Sequence, residues 1–447
     1  MKRFLLMAMA CSLFLSACGT GQVLIPSMTP KGINTSIPTP QSTASKTLTP
    51  TTVVTLIPIF TSTFAPTVTP KIDRLPAPAD YRLLNLHPTP PAKFDPNLDN
   101  TFQIDYRSAD LSKWDLTQSL EDLLYSDFDS RTVWPPVEKL PAGFDPQKIM
   151  ELGKDPGLGI RQLQAQGITG SGVGIAIIDQ PMLVDHQEYA SRLKLYEEIH
   201  IDPGTVSQMH GPAVASLAVG KTVGVAPGAD LYFIADFAGT STGAGQFVYD
   251  FSYLAQAVRR ILEVNQSLPD GQKIRVLSLS IGWLPEDKGY ADMEAAVNEA
   301  KAAGIFVVSM NIHETYGWDM MGMGRGALDD PDDFGSYTIP AMWNGVHFNT
   351  RYFSSNYLLI PMDARTAASP TGNKDYVFFG MGGMSWTAPY VAGVYALACQ
   401  VDPGITPDKF WSTALQTGRT TQVMHNGEPV SFGVILDSQA LIAALQK

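Results

Sequence analysis

Short β-rich runs alternate with helical patterns through much of this chain, and that alternation most constrains its fold. Ile175–Ile178, Leu231–Ala235, Val276–Ser280 and Ile305–Met310 are rich in β-branched, aliphatic and aromatic residues. Between the last two, Met293, Ala296, Val297, Ala300 and Ala303 recur at helical spacing. Gly304 follows where a helix should stop. Strands separated by helices are joined by crossovers, which cover both faces of a mostly parallel sheet. The predicted fold class is α/β, a doubly wound sheet with helices on both faces.

Three polar residues stand out against this frame. Asp179 closes the apolar run from Val173 to Ile178. Ligands bind at the carboxyl ends of strands in such sheets. His210 opens His210-Gly211-Pro212-Ala213-Val214-Ala215, and Ser385 lies in Gly382-Gly383-Met384-Ser385-Trp386-Thr387-Ala388-Pro389. Pro212 and Pro389 suit early helical positions, where a missing N–H costs little. Both His210 and Ser385 are therefore expected at helix starts. A serine hydroxyl is a weak nucleophile at neutral pH. An imidazole must take its proton, and a carboxylate must hold that imidazole in the right tautomer. Asp, His, Ser is one of the chain orders in which this set recurs.

From Gly167 to Leu445 the sequence resembles the subtilisin-like serine peptidases, the subtilases. Gly167-Ile168-Thr169-Gly170-Ser171-Gly172-Val173 with the following Ile-Ala-Ile-Ile-Asp is similar to the family's aspartate block. The His210-Gly211 pair and the later Gly224-Val225-Ala226-Pro227-Gly228-Ala229 resemble the histidine block. The Gly-x-Ser-x-x-x-Pro spacing around Ser385, with Val391-Ala392-Gly393, resembles the serine block. The resemblance implies catalysis by Asp179, His210 and Ser385. It also implies that Ser280, Ile281 and Gly282 line the substrate. Departures occur at Gln180-Pro181, where the family has Thr or Ser then Gly. Pro212-Ala213 replaces Thr-His, and Met384 replaces Thr. The oxyanion-hole asparagine falls within Ser309-Met310-Asn311-Ile312-His313. Counting from Gly304 selects His313, whereas Asn311 is the conventional donor.

The N-terminal end bears on location. Lys2 and Arg3 precede a mostly apolar stretch from Phe4 to Leu15, then Leu15-Ser16-Ala17-Cys18. A positive region, a short apolar region and small residues describe a secretory signal. A bilayer span needs about 20 apolar residues, more than this stretch provides. The ending resembles a bacterial lipoprotein signal, which implies lipid on Cys18. Of three cysteines, Cys11 would leave with the signal. Cys399 alone would remain as a thiol, in an apolar helical pattern that argues for a buried structural role.

The expected organisation is a signal over 1–17, a Thr/Ser/Pro-rich tether over 18–80, an extension over 81–154 and the catalytic domain over 155–447. Repeated Thr-Pro steps make the tether extended and semi-rigid. The extension carries an expected helix in Leu111–Leu124. It either is a removable prosegment or wraps the catalytic domain.

A formal charge of -12 without a basic stripe argues against a nucleic-acid partner. No metal-ligand spacing such as His-Glu-x-x-His occurs, so no metal is assigned. Asp329-Asp330-Pro331-Asp332-Asp333 could collect calcium but lacks the Gly and Glu of an EF-hand loop. It reads as a solvated loop, and no cofactor is required. His186 reads as structural, and His200 and His347 have no partner pattern. The expected function is an extracytoplasmic, lipid-anchored, monomeric serine endopeptidase acting on proteins or peptides. The rival is a surface-tethered, catalytically impaired domain of the same kind that binds peptides or proteins.

Overall fold

The computed structural model describes residues 71–83, 90–96, 103–241, 247–341, 356–425 and 427–446. The signal, Cys11, Cys18, most of the tether and His347 lie outside the described residues.

Six parallel strands form the central sheet. They are β1 (Lys71–Ile72), β2 (Gly174–Asp179), β3 (Leu193–Glu198), β4 (Asp230–Ala235), β5 (Ile274–Leu279) and β6 (Phe306–Ser309), in the spatial order β1-β3-β4-β2-β5-β6. Side chains alternate between the faces, as a strand's period of two requires. Ile175 and Ile177 enter one core and Ala176 and Ile178 the other. Helices α1 (His210–Val219) and α4 (Thr387–Val401) cover the first face. Helices α2 (Phe251–Ser267) and α3 (Tyr290–Ala302) cover the second. Asp250 caps α2 by accepting from the Ser252 N–H, and Gly304, at φ +77°, follows the end of α3. The expected strand and helix signals thus form a doubly wound α/β sheet.

Two expectations change at the N-terminal side. Residues 71–79, assigned to the tether, are strapped onto the domain. Lys71 and Ile72 pair with Leu195 and Tyr196, the Arg74 guanidinium grips the Glu198 carboxylate at 2.7 and 2.8 Å, and Ala79 N–H donates to the Pro370 carbonyl. The expected helix within Leu111–Leu124 contracts to Leu120–Leu124. Asp115 accepts from both the backbone N–H and the hydroxyl of Thr117, a local turn that competes with helix.

The extension is part of the fold rather than an appended layer. Ile104, Tyr106, Leu111, Leu116, Phe128 and Ile149 share a core with Ala327, Ala364 and Phe378. Phe128–Asp129 pairs antiparallel with Phe378 and Val377.

Candidate active site

Asp179 ends β2 and His210 begins α1, both at the carboxyl edge of the sheet. His210 Nδ1 lies 2.7 Å from Asp179 Oδ1, which also accepts from the Gln180 N–H at 2.7 Å. Both side chains are largely buried, at 17% and 7% exposure, so solvent screens the pair weakly. The approach depends on Gly211. A Cβ there would stand 2.0 Å from the Gln180 carbonyl oxygen. Only glycine lets the start of α1 press so closely on the chain after β2.

Ser385 lies not in α4 itself but in a single 3₁₀ turn, Met384–Trp386, that feeds it. Its Oγ donates to the Ser280 carbonyl at 3.4 Å, and the Ser280 hydroxyl donates to the Ser385 carbonyl at 2.8 Å. Trp386 stacks on the His210 ring with centroids 5.4 Å apart. Ser280 and Ile281, just beyond β5, line a cleft shared with Asp179, His210, Asp236 and Phe237. The structure therefore gathers Asp179, His210, Ser280, Ile281 and Ser385 at one edge. Met384 has a local role: its sulfur accepts from the Gly322 N–H at 3.3 Å and ties the turn to the strand Asp319–Arg325.

The two expected oxyanion donors separate. His313 lies in the short helix Ile312–Tyr316, with its side chain 65% exposed and Nδ1 3.1 Å from Asp319. Counting from Gly304 thus selects a residue turned toward a surface carboxylate. Asn311 is buried, and its amide clamps the backbone of Trp283, accepting from its N–H and donating to its carbonyl, each at 2.7 Å. It also abuts Gly282.

Among the other candidates, His186 is fully buried and bonds the Asp375 carbonyl at 2.9 Å, and burial lowers its pKa. Cys399 is buried, which pushes its thiol up to about 11. Asp332 in the acidic run accepts from the Gly159 N–H and the Gln162 amide. Among the described residues, no three His, Cys, Asp or Glu side chains group to hold a metal. Sequence reasoning missed Asp236 and His200. Asp236 follows β4, beside Asp179, and its Oδ2 lies 3.0 Å from His200 Nδ1. Burial raises the Asp236 pKa. Its place one residue beyond the strand adjoining β2 was a usable signal.

Residues 170–314 match the model of the Subtilase family, a stretch that contains Asp179 and His210 and stops before Ser385. The comparisons support the subtilase family. With the parallel, helix-covered sheet, they make the fold α/β and subtilisin-like. The chain is 28% identical over 273 residues to alkaline elastase YaB of Bacillus sp. (strain YaB), covering 58% of this chain and 64% of that protein. It is 24% identical over 268 residues to the subtilisin-like protease PopC of Myxococcus xanthus (strain DK1622), covering 54% of each. The prenylagaramide maturation protease PagA superposes with a TM-score of 0.44 at 17% identity, over 64% of this chain and 98% of that one. The subtilase-like chain spans less than two thirds of the length of the two curated relatives.

Proposed function

We propose that the chain is a serine endopeptidase that cleaves proteins or peptides through an acyl-enzyme. The observation that carries this reading is the 2.7 Å Asp179–His210 bond at the sheet edge to which Ser280 tethers Ser385. With Nδ1–H donated to Asp179, the imidazole Nε2 is the basic nitrogen. His210 takes the Ser385 hydroxyl proton as Oγ attacks the peptide carbonyl. It returns that proton to the departing amine, and water then reverses the sequence to release the acid. Asp179 orients the imidazole and stabilises its cation. The Ser385 backbone N–H and the Asn311 amide are the proposed oxyanion donors. Asn311 is favoured over His313 because it is buried against Gly282 and rigidly held. The Ser280–Ile281–Gly282 backbone would pair with an extended substrate as an added strand. The two curated relatives are an elastase and a protease by name, which supports peptide-bond hydrolysis.

The test is fluorophosphonate labelling with casein hydrolysis. Wild type should label at Ser385, and Ser385→Ala should lose cleavage with an unchanged melting temperature. An alanine variant that cleaves casein at near wild-type rate would refute the assignment. A folded wild type that does not label would favour peptide binding without cleavage.

The same reading includes an extracytoplasmic site of action, with lipid on Cys18 holding the protein at the membrane. One acyl chain binds only marginally, so stable anchoring requires several. Among the described residues no helix is long and apolar enough to cross a membrane. An unmodified Cys18 in the mass of the mature N-terminal peptide would remove the anchor.

A further inference from the structure

The strand Tyr376–Phe379 runs directly into the serine turn. Two buried carboxylates hold two of the three glycines between them. Gly382 N–H donates to Asp363 Oδ1 at 2.8 Å. Gly380 N–H donates to Asp127 Oδ1 at 3.0 Å, across 253 residues of sequence. Asp127 belongs to the N-terminal extension. The seating there is tight: a Cβ on Gly380 would lie 2.7 Å from the Tyr125 carbonyl carbon and 2.8 Å from the Ser126 carbonyl oxygen. Immediately before it, Phe378 and Val377 pair with Phe128 and Asp129. The extension is thus the edge strand beside the serine's strand and the seat beneath the serine's turn.

Asp127 is itself firmly placed. Its N–H donates to the Ile104 carbonyl at 2.8 Å, and its carbonyl accepts from the Tyr106 N–H at 2.7 Å. Arg107, bonded to the Asp105 carboxylate at 2.6 and 2.9 Å, lies 5.9 Å over the Phe379 ring. Asp127 is 1% exposed, and its Oδ2 has no hydrogen-bond partner. Burial pushes this carboxyl well above the usual range, against the pull of Arg107. A protonated Oδ2 with Oδ1 accepting from Gly380 fits this environment, because a lone buried charge would be far more costly.

We propose that Asp127 is a positioning residue for Ser385, and that residues 104–129 are a permanent part of the catalytic unit rather than a removable prosegment. This rests on Ser385 being the nucleophile. Asp127 touches no substrate. It acts through Gly380, five residues before the serine. A shift of about 1 Å in a reacting group can cost on the order of 10² in rate.

The experiment uses the full chain with Asp127→Ala and Asp127→Asn. Fluorophosphonate labelling would be resolved into its maximal rate and its half-saturating concentration, with unfolding followed by circular dichroism. Asp127→Ala removes the acceptor, so the maximal rate should fall about 10²-fold, with half-saturation changed less than about threefold. Asp127→Asn keeps an oxygen for the Gly380 N–H and should recover to within about fivefold of wild type. A folded alanine variant that labels like wild type overturns the proposal, as does an asparagine variant as damaged as alanine. If alanine prevents folding, the mass of the labelled wild-type species decides. Residues 104–129 should be present in it, and an active species that lacks them overturns the proposal. A folded wild type that never labels removes the nucleophile, and the proposal with it. A labelling wild type with an undiminished alanine variant removes the proposal alone.

Discussion

Gly211→Ala should uncouple His210 from Asp179 without unfolding the protein. Gly211 is the second residue of α1, and its Cβ would meet the Gln180 carbonyl oxygen at 2.0 Å and that of Pro181 at 3.3 Å. Cβ atoms essentially never approach a heavy atom closer than 3.0 Å, so α1 must retreat by about 1 Å from the backbone after β2. Asp179 is joined directly to Gln180, so the same retreat lengthens the 2.7 Å His210–Asp179 bond by up to about 1 Å, where it lies along the bond, which is enough to take it beyond hydrogen-bonding reach. Misplacement of that size costs about 10² in rate, and a mis-set imidazole tautomer up to about 10⁴. The predicted loss in kcat therefore lies between about 10² and 10⁴, with KM changed less than about threefold. Overpacking should cost about 1–3 kcal/mol of stability. Peptide hydrolysis and thermal unfolding measure both. Gly271→Ala is the control, because a Cβ there meets nothing within 4 Å. If Gly211→Ala turns over within about threefold of wild type, the close approach of α1 is not what sets the imidazole.

Asn311→Ala should lower kcat by about 10²–10³, because it removes the proposed oxyanion amide and its clamp on Trp283. His313→Ala, at an exposed position, should stay near normal; the reverse pattern in hydrolysis kinetics would restore the register counted from Gly304. Asp363 offers a pH test, since burial raises its pKa from 3.8 to about 7. Between those values the folded protein holds a proton that the unfolded chain has released. The group's stabilisation is therefore complete below about pH 4 and is lost as pH rises to about 7. At about 1.4 kcal/mol per pH unit the full change is roughly 4 kcal/mol. Denaturant unfolding at about pH 4.5 and 7.5 should show this pH-dependent loss in wild type and much less of it in Asp363→Asn. Equal pH slopes in the two proteins would refute the assignment.

The central sheet was legible because its strands obey local rules. Runs such as Ile175–Ile178 are apolar on both faces, as strands covered on both sides must be. The helix over Tyr290–Ala302 announces itself by spacing, and its end by Gly304. Asp179 and His210 were legible for a related reason. Each stands where a periodic element begins or ends, and chemistry in such folds sits at those ends. Less legible was whatever depends on side-chain direction. Asn311 and His313 are two residues apart, and only the clamp on Trp283 and the pairing with Asp319 tell the buried one from the exposed one.

The extension was illegible for a deeper reason. Over residues 104–129 its elements are short, Leu120–Leu124 and Phe128–Asp129, and too small to imprint a period on the sequence. What orders them is burial against Ala364 and Phe378, residues that no local pattern could connect to them. The reciprocal dependence follows from the same contacts. Strand Tyr376–Phe379 lies between Arg365–Ala368 on one side and Phe128–Asp129 on the other, so without the extension it becomes an open edge. The turn after it would then lose the acceptor of the Gly380 N–H and the backbone on which Gly380 rests. In the proposed mechanism the Ser385 hydroxyl must meet a fixed imidazole, which a loose turn would not allow. A part of the chain with little local pattern is therefore tied, through Gly380, to the turn that carries the proposed nucleophile Ser385.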